Sequence, residues 1–563
     1  MRLRSWHLLF GILSLFLLAA CRSGDSGSFG SNAQITLQAQ FEKRVLGPSG
    51  LGATTLRPAR YCWAEVRDVS SNALLASGYL GSDGTGSVSV PLGLQVYVRV
   101  SAQYQVPCAD PNSFFMRGSV KNAPLPGSLD MTTFAAIPVW DVTSGSFLAD
   151  RDGTLSVTAL ASNRIAGAFN IADQAVTFAA GIRDMSGSST LRLPNLHTFW
   201  TTSSTPSDQD RTYPALAQAP GNTYLVTDSN RAIFTHAVYG LGTGAPSTET
   251  DEWDDGVLQE TFAHLLFADA SYKPDGSSTL SLLRRDNDNA WVGRTVRSES
   301  TAAFVGGFSD FLAAALRNDS RILDSYVDGT GVPRVDAFDL TDHTYVPSAA
   351  KGEFSRGSVA VSLWGIWKNA AIFGGTQAGL QTMWNAANPA LTPNDYEFGK
   401  TPLACYPTYL AGLKRLAGAA AATPLINELN LENVGNGADP TSAIYLNGPA
   451  LWTVSPLPIN ASGSFSTNRA AQGFFFDQDT AQAFRFVQGS TGPRTLTLST
   501  PGTGLFMELF DAFGLLRWAE ATSASNGVIN LASLPPGTYA VRVRVDPLRT
   551  YTSGTIAYTL AVN

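Results

Sequence analysis

Polar and apolar residues alternate at the two ends of the chain and recur at helical spacing in its middle. From Ala33 the runs ITLQAQFEKR, ARYCWAEVRDV, LLASGYLGSDGTGSVSV and LQVYVRVSAQ alternate with period two, the mark of half-buried strands. Asp83 and Gly84 suit positive φ, so Gly81 to Gly86 reads as a turn between two of these strands. A small antiparallel sandwich over residues 33–110 is expected, of the kind that acts as a spacer or docking module. Pro107, Pro111, Pro124 and Pro126 then break any long element. From Ser162, Ile165, Phe169, Ala172, Val176 and Ala180 fall on one face of a predicted helix. LHTFWTTSS and AIFTHAVYGLG read as strands.

The stretch Thr250 to Asp269 is an acidic approach feeding an amphipathic helix. Leu258, Phe262, Leu265 and Leu266 make its apolar stripe, and Gln259, Glu260 and Ala263 lie on or beside another face. A second helix carries Phe304, Phe308, Phe311, Leu312 and Ala315, with Glu299 in its first turn, where a carboxylate favours the helix dipole. A third starts near Ser355, further helical text runs to about Gly418, and NELNLENVGNGADP reads as a loop and domain boundary. From about Gly463 five or more short strands separated by turns predict an all-β sandwich. The expected class is α+β and multi-domain: a β-sandwich at 33–110, a mainly helical core at 111–435 and a C-terminal β-sandwich at 445–563.

Composition agrees with that division. Of 563 residues 44% are hydrophobic and 15% charged, enough for two or more packed cores. Residues 1–20 carry Arg2, Arg4 and the apolar run LLFGILSLFLLAA, then Cys21. This is the pattern of a bacterial lipoprotein signal rather than a spanning helix. Cleavage before Cys21 and its acylation, palmitate included, would anchor the chain to a membrane, each buried methylene adding about 0.8 kcal/mol. Residues 21–32 then form a flexible tether. Arg22 is not the Asp that favours inner-membrane retention, which points to the outer membrane, facing the periplasm or the surface. The net charge of −7 becomes more negative without the signal, and no basic arm is visible, so nucleic acid is excluded as a partner. Of the other cysteines, Cys62 and Cys108 are expected to pair in an oxidising envelope, leaving Cys405 as a thiol; three buried thiols are the alternative.

The order of segments resembles bacterial lipoproteins built on a gluzincin-like zinc metallopeptidase core. In that family a helix reading His-Glu-x-x-His follows an acidic TDE stretch, and a later glutamate between glycines completes the zinc site. Thr250, Asp251 and Glu252 match the approach, Glu260 the water-activating position and Glu299 the third-ligand position. Phe199, Trp200 and the run Ser358 to Trp367 also look like the family, and the C-terminal part is similar to a pre-peptidase C-terminal sandwich. The departures fall on the chemistry: Gln259 and Ala263 stand where the resemblance implies histidines, and Ser298 and Ser300 replace the glycines. Catalytic zinc wants three protein ligands plus water. The resemblance therefore implies a metallopeptidase-like pseudoenzyme with no cofactor.

Three readings follow. The first is an envelope-anchored scaffold without catalysis that binds a protein, peptide or glycan. The second is a metal-dependent peptidase with a non-standard zinc site of Glu260, His264 and Glu299, although His264 lies about 100° round the helix from the expected ligand. The third is a structural or adhesive surface protein. The remaining histidines of the mature chain, His197, His236 and His343, stand apart in sequence, and His197 reads as packed or surface-exposed. No Gly-x-Ser-x-Gly elbow or phosphate-binding loop appears, since Gly242 to Glu249 lacks the lysine, and Asp286 to Asn289 lacks the glycine and distal glutamate of a calcium loop.

Overall fold

The computed structural model describes residues 32–108, 114–123, 136–187, 193, 195–201, 223–227, 234–239, 250–270, 294–298, 300–327, 332–387, 406–435, 453–454, 459–466, 481–488, 495–502, 504–511, 514–545 and 554–562. The signal, Cys21, Arg22, Glu299, Cys405 and Asp286 to Asn289 lie outside the described residues, as do the side chains of His236 and His264.

Ten strands come first: β1 (Asn32–Gly47), β2 (Gly50–Pro58), β3 (Cys62–Asp68), β4 (Leu74–Tyr79), β5 (Thr85–Pro91), β6 (Gln95–Pro107), β7 (Phe114–Lys121), the short β8 (Asp141–Thr143) and β9 (Phe147–Leu148), and β10 (Gly153–Ala159). The alternation read from the sequence sets their faces. β1 buries Ala33, Ile35, Leu37, Ala39 and Phe41, and β6 buries Val96, Val98, Val100, Ala102, Tyr104 and Val106. β1 pairs in parallel with β10 on one side and antiparallel with β5 and then β2 on the other. The turn before β5 is not a hairpin: it carries the chain from β4 in one sheet to β5 in another. Asp83 Oδ1 accepts from Thr85 N at 3.0 Å. At Gly84, with φ +73°, a Cβ would meet Ala39 O at 2.5 Å, so this corner demands glycine.

The chain continues with α1 (Ile165–Ser186), β11 (Asn195–Phe199), β12 (Thr223–Thr227) and β13 (Phe234–Tyr239). The larger sheet runs β12-β13-β11-β7-β6-β3-β4, with β8 and β9 also paired to β6. The expected boundary near residue 110 therefore falls between β6 and β7, which pair antiparallel. One hydrophobic core extends from Ala33 to Val434, so the sandwich and the helical part are one packed body. Prolines between strands mark turns, and a pattern of turns carries no information on whether the flanking strands pair.

Within that body α1 is buried on most sides, not on the single face expected. It is long and apolar enough to cross a membrane, but 78% of its apolar window is buried inside the protein. A 3₁₀ turn (Asp251–Trp253) leads to α2 (Asp255–Ala270), followed by α3 (Ser300–Arg317), the hairpin β14 (Arg321–Val327) and β15 (Pro333–Asp339), then α4 (Arg356–Lys368), α5 (Gln377–Ala387), α6 (Tyr406–Ala417) and α7 (Ala422–Leu431). Ser355 caps α4 by accepting from Ser358 N at 3.4 Å. The NELNL text is the end of α7 rather than a loop, because Leu425 and Leu429, four apart, are both fully buried.

A second core belongs to the C-terminal strands β16 (Thr453–Val454), β17 (Ile459–Ser466), β18 (Ala481–Gln488), β19 (Thr495–Ser499), β20 (Leu505–Asp511), β21 (Gly514–Ala521), β22 (Gly527–Asn530), β23 (Gly537–Val545) and β24 (Thr555–Val562). They form sheets ordered β16-β18-β23-β20-β21 and β17-β24-β19-β22. The Pro-Pro-Gly-Thr-Tyr turn is closed by Tyr539, whose hydroxyl donates to Pro535 O at 2.6 Å.

Cys62 and Cys108 are not joined by a disulfide. Cys62 sits opposite Tyr104, four residues before Cys108. At about 3.3 Å per residue that separation is roughly 13 Å, beyond the reach of a bridge. Burial pushes the Cys62 thiol well above its usual range.

Candidate functional site

The opening turns of α2 place Glu260 inside the larger core, 3% exposed. Its carboxylate faces two guanidiniums. Arg356, the first residue of α4, donates from Nη2 to Glu260 Oε1, and Arg294 Nη2 donates to Glu260 Oε2 at 2.9 Å. Asp310, from the middle of α3, completes the group. Arg356 Nε reaches Asp310 Oδ2 at 2.6 Å and its Nη2 reaches Oδ1 at 2.8 Å, while Arg294 Nη2 reaches Oδ1 at 3.0 Å. Two cations and two anions thus neutralise one another in a group that is buried except at Arg294, whose side chain is 10% exposed. Burial works against charge on either arginine, but Asp310 and Glu260 outweigh it and hold both guanidiniums above their usual range. The helices can approach this closely because α3 carries Gly307 at the crossing. A Cβ there would meet Val359 Cβ at 2.5 Å and Arg356 O at 2.6 Å.

The neighbouring positions Gln259 and Ala263 turn elsewhere. Gln259 Nε2 donates to Gln174 Oε1 on α1 at 2.8 Å, and Ala263 is fully buried with no donor to offer. Phe262 packs edge-on to Phe178. Up to Ala263, the described side chains of α2 are buried on more than one face, where one apolar stripe was expected. The described residues do not fit a zinc ion: both oxygens of Glu260 are engaged by permanent cations, which would repel a dication at the same place. Among the described residues no three His, Cys, Asp or Glu side chains gather in a way that could hold a metal. The placement of the His264 side chain and of Glu299, the other members of the non-standard set, lies outside the described residues.

The two histidines whose side chains are described, His197 and His343, have their own partners. His197, on β11, has Nδ1 2.8 Å from Ser119 Oγ, and burial, followed by the charges of Lys121 and Arg117, brings its pKa down to about 3, so it is neutral. His343 Nδ1 lies 2.9 Å from Glu432 Oε1, which also meets Lys351 Nζ at 3.2 Å. Asp310, Arg294 and Arg356 were missing from the sequence reading. The signal available was an aspartate set between Phe308 and Phe311 in an apolar stripe.

The acidic approach is a structural hub. Glu252, 1% exposed, pairs with Arg164 at the start of α1, and Asn170 Nδ2 donates to Glu252 O at 2.7 Å and to Asp255 Oδ1 at 3.1 Å. Asp255 also pairs with Lys43 of β1. Asp254 Oδ2 accepts from Ser325 N at 2.6 Å and from Ser325 Oγ at 2.8 Å, fastening β14 to the head of α2. Burial, then the nearby charge of Asp324, pushes the Asp254 carboxyl well up. An acid whose folded pKa is raised favours the fold most when protonated. Its contribution is lost as pH rises from the unfolded value near 3.8 towards the raised folded one. Asp254→Asn keeps an oxygen for Ser325 and has no proton to lose. Its denaturation midpoint is expected to fall less than that of the wild type between pH 4 and pH 7; an equal fall in both proteins would contradict this.

No family model matches the chain. No curated protein matches it in sequence. Among solved structures, the pre-peptidase C-terminal domain of a collagenase from Bacillus anthracis is 18% identical, covering 20% of this chain and 93% of that one, with a TM-score of 0.16. PliG from Aeromonas hydrophila, a periplasmic inhibitor of g-type lysozyme, is 14% identical over 20% of this chain and 95% of its own, with a TM-score of 0.14. A 9R-lipoxygenase from Cyanothece PCC8801 is 10% identical over 30% of this chain and 25% of its own, with a TM-score of 0.13. Likeness at these scores carries no argument about activity.

Proposed function

We propose that this chain is an envelope lipoprotein, anchored through Cys21 to the outer membrane, whose metallopeptidase-like core is a catalytically inactive scaffold for binding a partner. The observation that supports it best is the state of Glu260. A water-activating glutamate needs a free oxygen near its pKa and a metal-bound water beside it. Here the corresponding carboxylate is sealed between Arg294 and Arg356 at 3% exposure. Each oxygen of such a carboxylate is already committed to a guanidinium, so none is presented to a water molecule as a base. Cys21 and the apolar run before it support the anchor.

Two preparations test the two halves. Full-length protein expressed in a bacterium and labelled with palmitate should carry label that Cys21→Ser loses. The soluble form beginning after Cys21 should bind substoichiometric zinc by mass spectrometry and leave peptide libraries uncut. Stoichiometric zinc with peptide cleavage abolished by Glu260→Gln would establish the peptidase instead, and label retained by Cys21→Ser would remove the anchor.

A further inference from the structure

The outward face of the larger sheet, across β4, β3 and β6, is a built surface that the reading above leaves unused. Period two puts Cys62, Ala64 and Val66 inward and Trp63, Glu65 and Arg67 outward, where they remain partly exposed. Register sets Tyr79 opposite Trp63, and Arg99 opposite Glu65, so an aromatic row lies beside a charged one. The two rings meet edge to face at 4.8 Å, and Tyr79 Oη accepts from Gln103 Nε2 at 3.0 Å.

We propose that this face binds an extended, neutral, hydroxyl-rich glycan, with Trp63 and Tyr79 as its stacking platform. The proposal rests on the reading of the chain as a binding module and names the class of its partner. Charge selects that class. Arg67 Nε pairs with Glu65 Oε2 at 2.8 Å and Arg99 Nη2 with Asp141 Oδ2 at 2.6 Å, so the four charges cancel within the face. A polyanion or polycation gains nothing from such a surface, whereas an uncharged partner loses nothing. A sugar ring presents C–H groups made positive by neighbouring oxygens, and these suit the negative face of an indole or phenol ring. Around that ring its hydroxyls can accept, and the face supplies donors to them. Arg99, the most exposed of the four charged groups at 41%, has five N–H donors and gives Asp141 one through Nη2. Trp63 Nε1 donates to Glu65 Oε1 at 3.2 Å, which holds the indole in place before any ligand arrives.

The test is calorimetric titration of the soluble mature chain with cellohexaose, chitohexaose and maltohexaose, alongside Trp63→Ala, Trp63→Phe and Tyr79→Ala. At least one hexasaccharide is expected to bind. Trp63→Ala should weaken it tenfold or more, and Trp63→Phe, which keeps a ring, should restore most of the loss; unchanged near-ultraviolet dichroism shows that the variants are folded. Absence of binding by all three sugars, or binding indifferent to Trp63→Ala, overturns the proposal, as does a captured protein partner whose binding Trp63→Ala abolishes while no sugar competes. Zinc content and peptide cleavage measured on the same sample keep the two readings apart. A metal-free, inactive protein that ignores glycans loses only the glycan, and a zinc-loaded peptidase loses only the scaffold reading.

Discussion

Replacing Arg356 by methionine is expected to lower the unfolding free energy of the larger core by about 3–5 kcal/mol, the usual cost of removing one partner from a buried ion network. Arg356 is 2% exposed and contacts both carboxylates, so its loss takes a guanidinium from Glu260 and Asp310 at once. Water cannot take over, since Asp310 is fully buried and Glu260 nearly so. Arg356→Lys should recover only part of the loss, because one ammonium cannot reproduce the forked contacts that Nε and Nη2 make with Asp310. Glu260→Gln combined with Arg356→Met should cost less than the two changes added together, since each removes the other's unpaired charge. Urea denaturation followed by tryptophan fluorescence measures all four proteins. A loss below about 1 kcal/mol for Arg356→Met would mean that the network is not neutralising buried charge as the geometry implies.

The same network shows where sequence reading stops. Strand faces were legible, because alternation has a period that burial imposes: Ile35, Leu37 and Phe41 were inward as written. Helix positions were legible too, down to the start of α4 at its serine cap. What alternation could not carry was pairing between strands distant in sequence, so β6 and β7 appeared to belong to separate domains. Nor could spacing on one helix reveal what faces it. Glu260 had the register of a catalytic base, and its state is set by Arg294, 34 residues later, and Arg356, 96 residues later. Charged residues inside apolar helical text are the local trace of that arrangement, and at Asp310 it is masked by Phe308 and Phe311, which dominate the stripe. The expected Cys62–Cys108 bridge failed for a related reason: two cysteines near one strand share a neighbourhood in sequence, while rise along the strand keeps them apart.

The second large effect is expected at Glu508 in the C-terminal sandwich. β20 sends Leu505, Met507 and Leu509 into the hydrophobic core, while Phe506 and Glu508 alternate with them onto the opposite side of the strand. That side is also closed, for Glu508 and its register partner Arg542 are fully buried and Arg544 is 3% exposed. Glu508 Oε2 accepts from Arg542 Nε at 2.9 Å and from Arg544 Nε at 3.1 Å, and Oε1 accepts from Arg544 Nη2 at 3.0 Å. One carboxylate thus serves two guanidiniums, and Arg544 lies over the Phe506 ring at 5.2 Å. Glu508→Ala would remove the carboxylate that bridges two like charges on one strand. The expected cost is about 3–5 kcal/mol, which speeds amide exchange in β18, β20 and β23 by about two to four orders of magnitude. Because this sandwich has its own core, exchange in α2, α3 and α4 should stay at the wild-type rate. Replacing Glu508, Arg542 and Arg544 together by leucine or methionine removes the charges as well as the bridge, and should return most of the protection. Exchange that rises equally in both cores, or a triple variant less protected than Glu508→Ala, would show that the sandwich is held by something other than this ion triad.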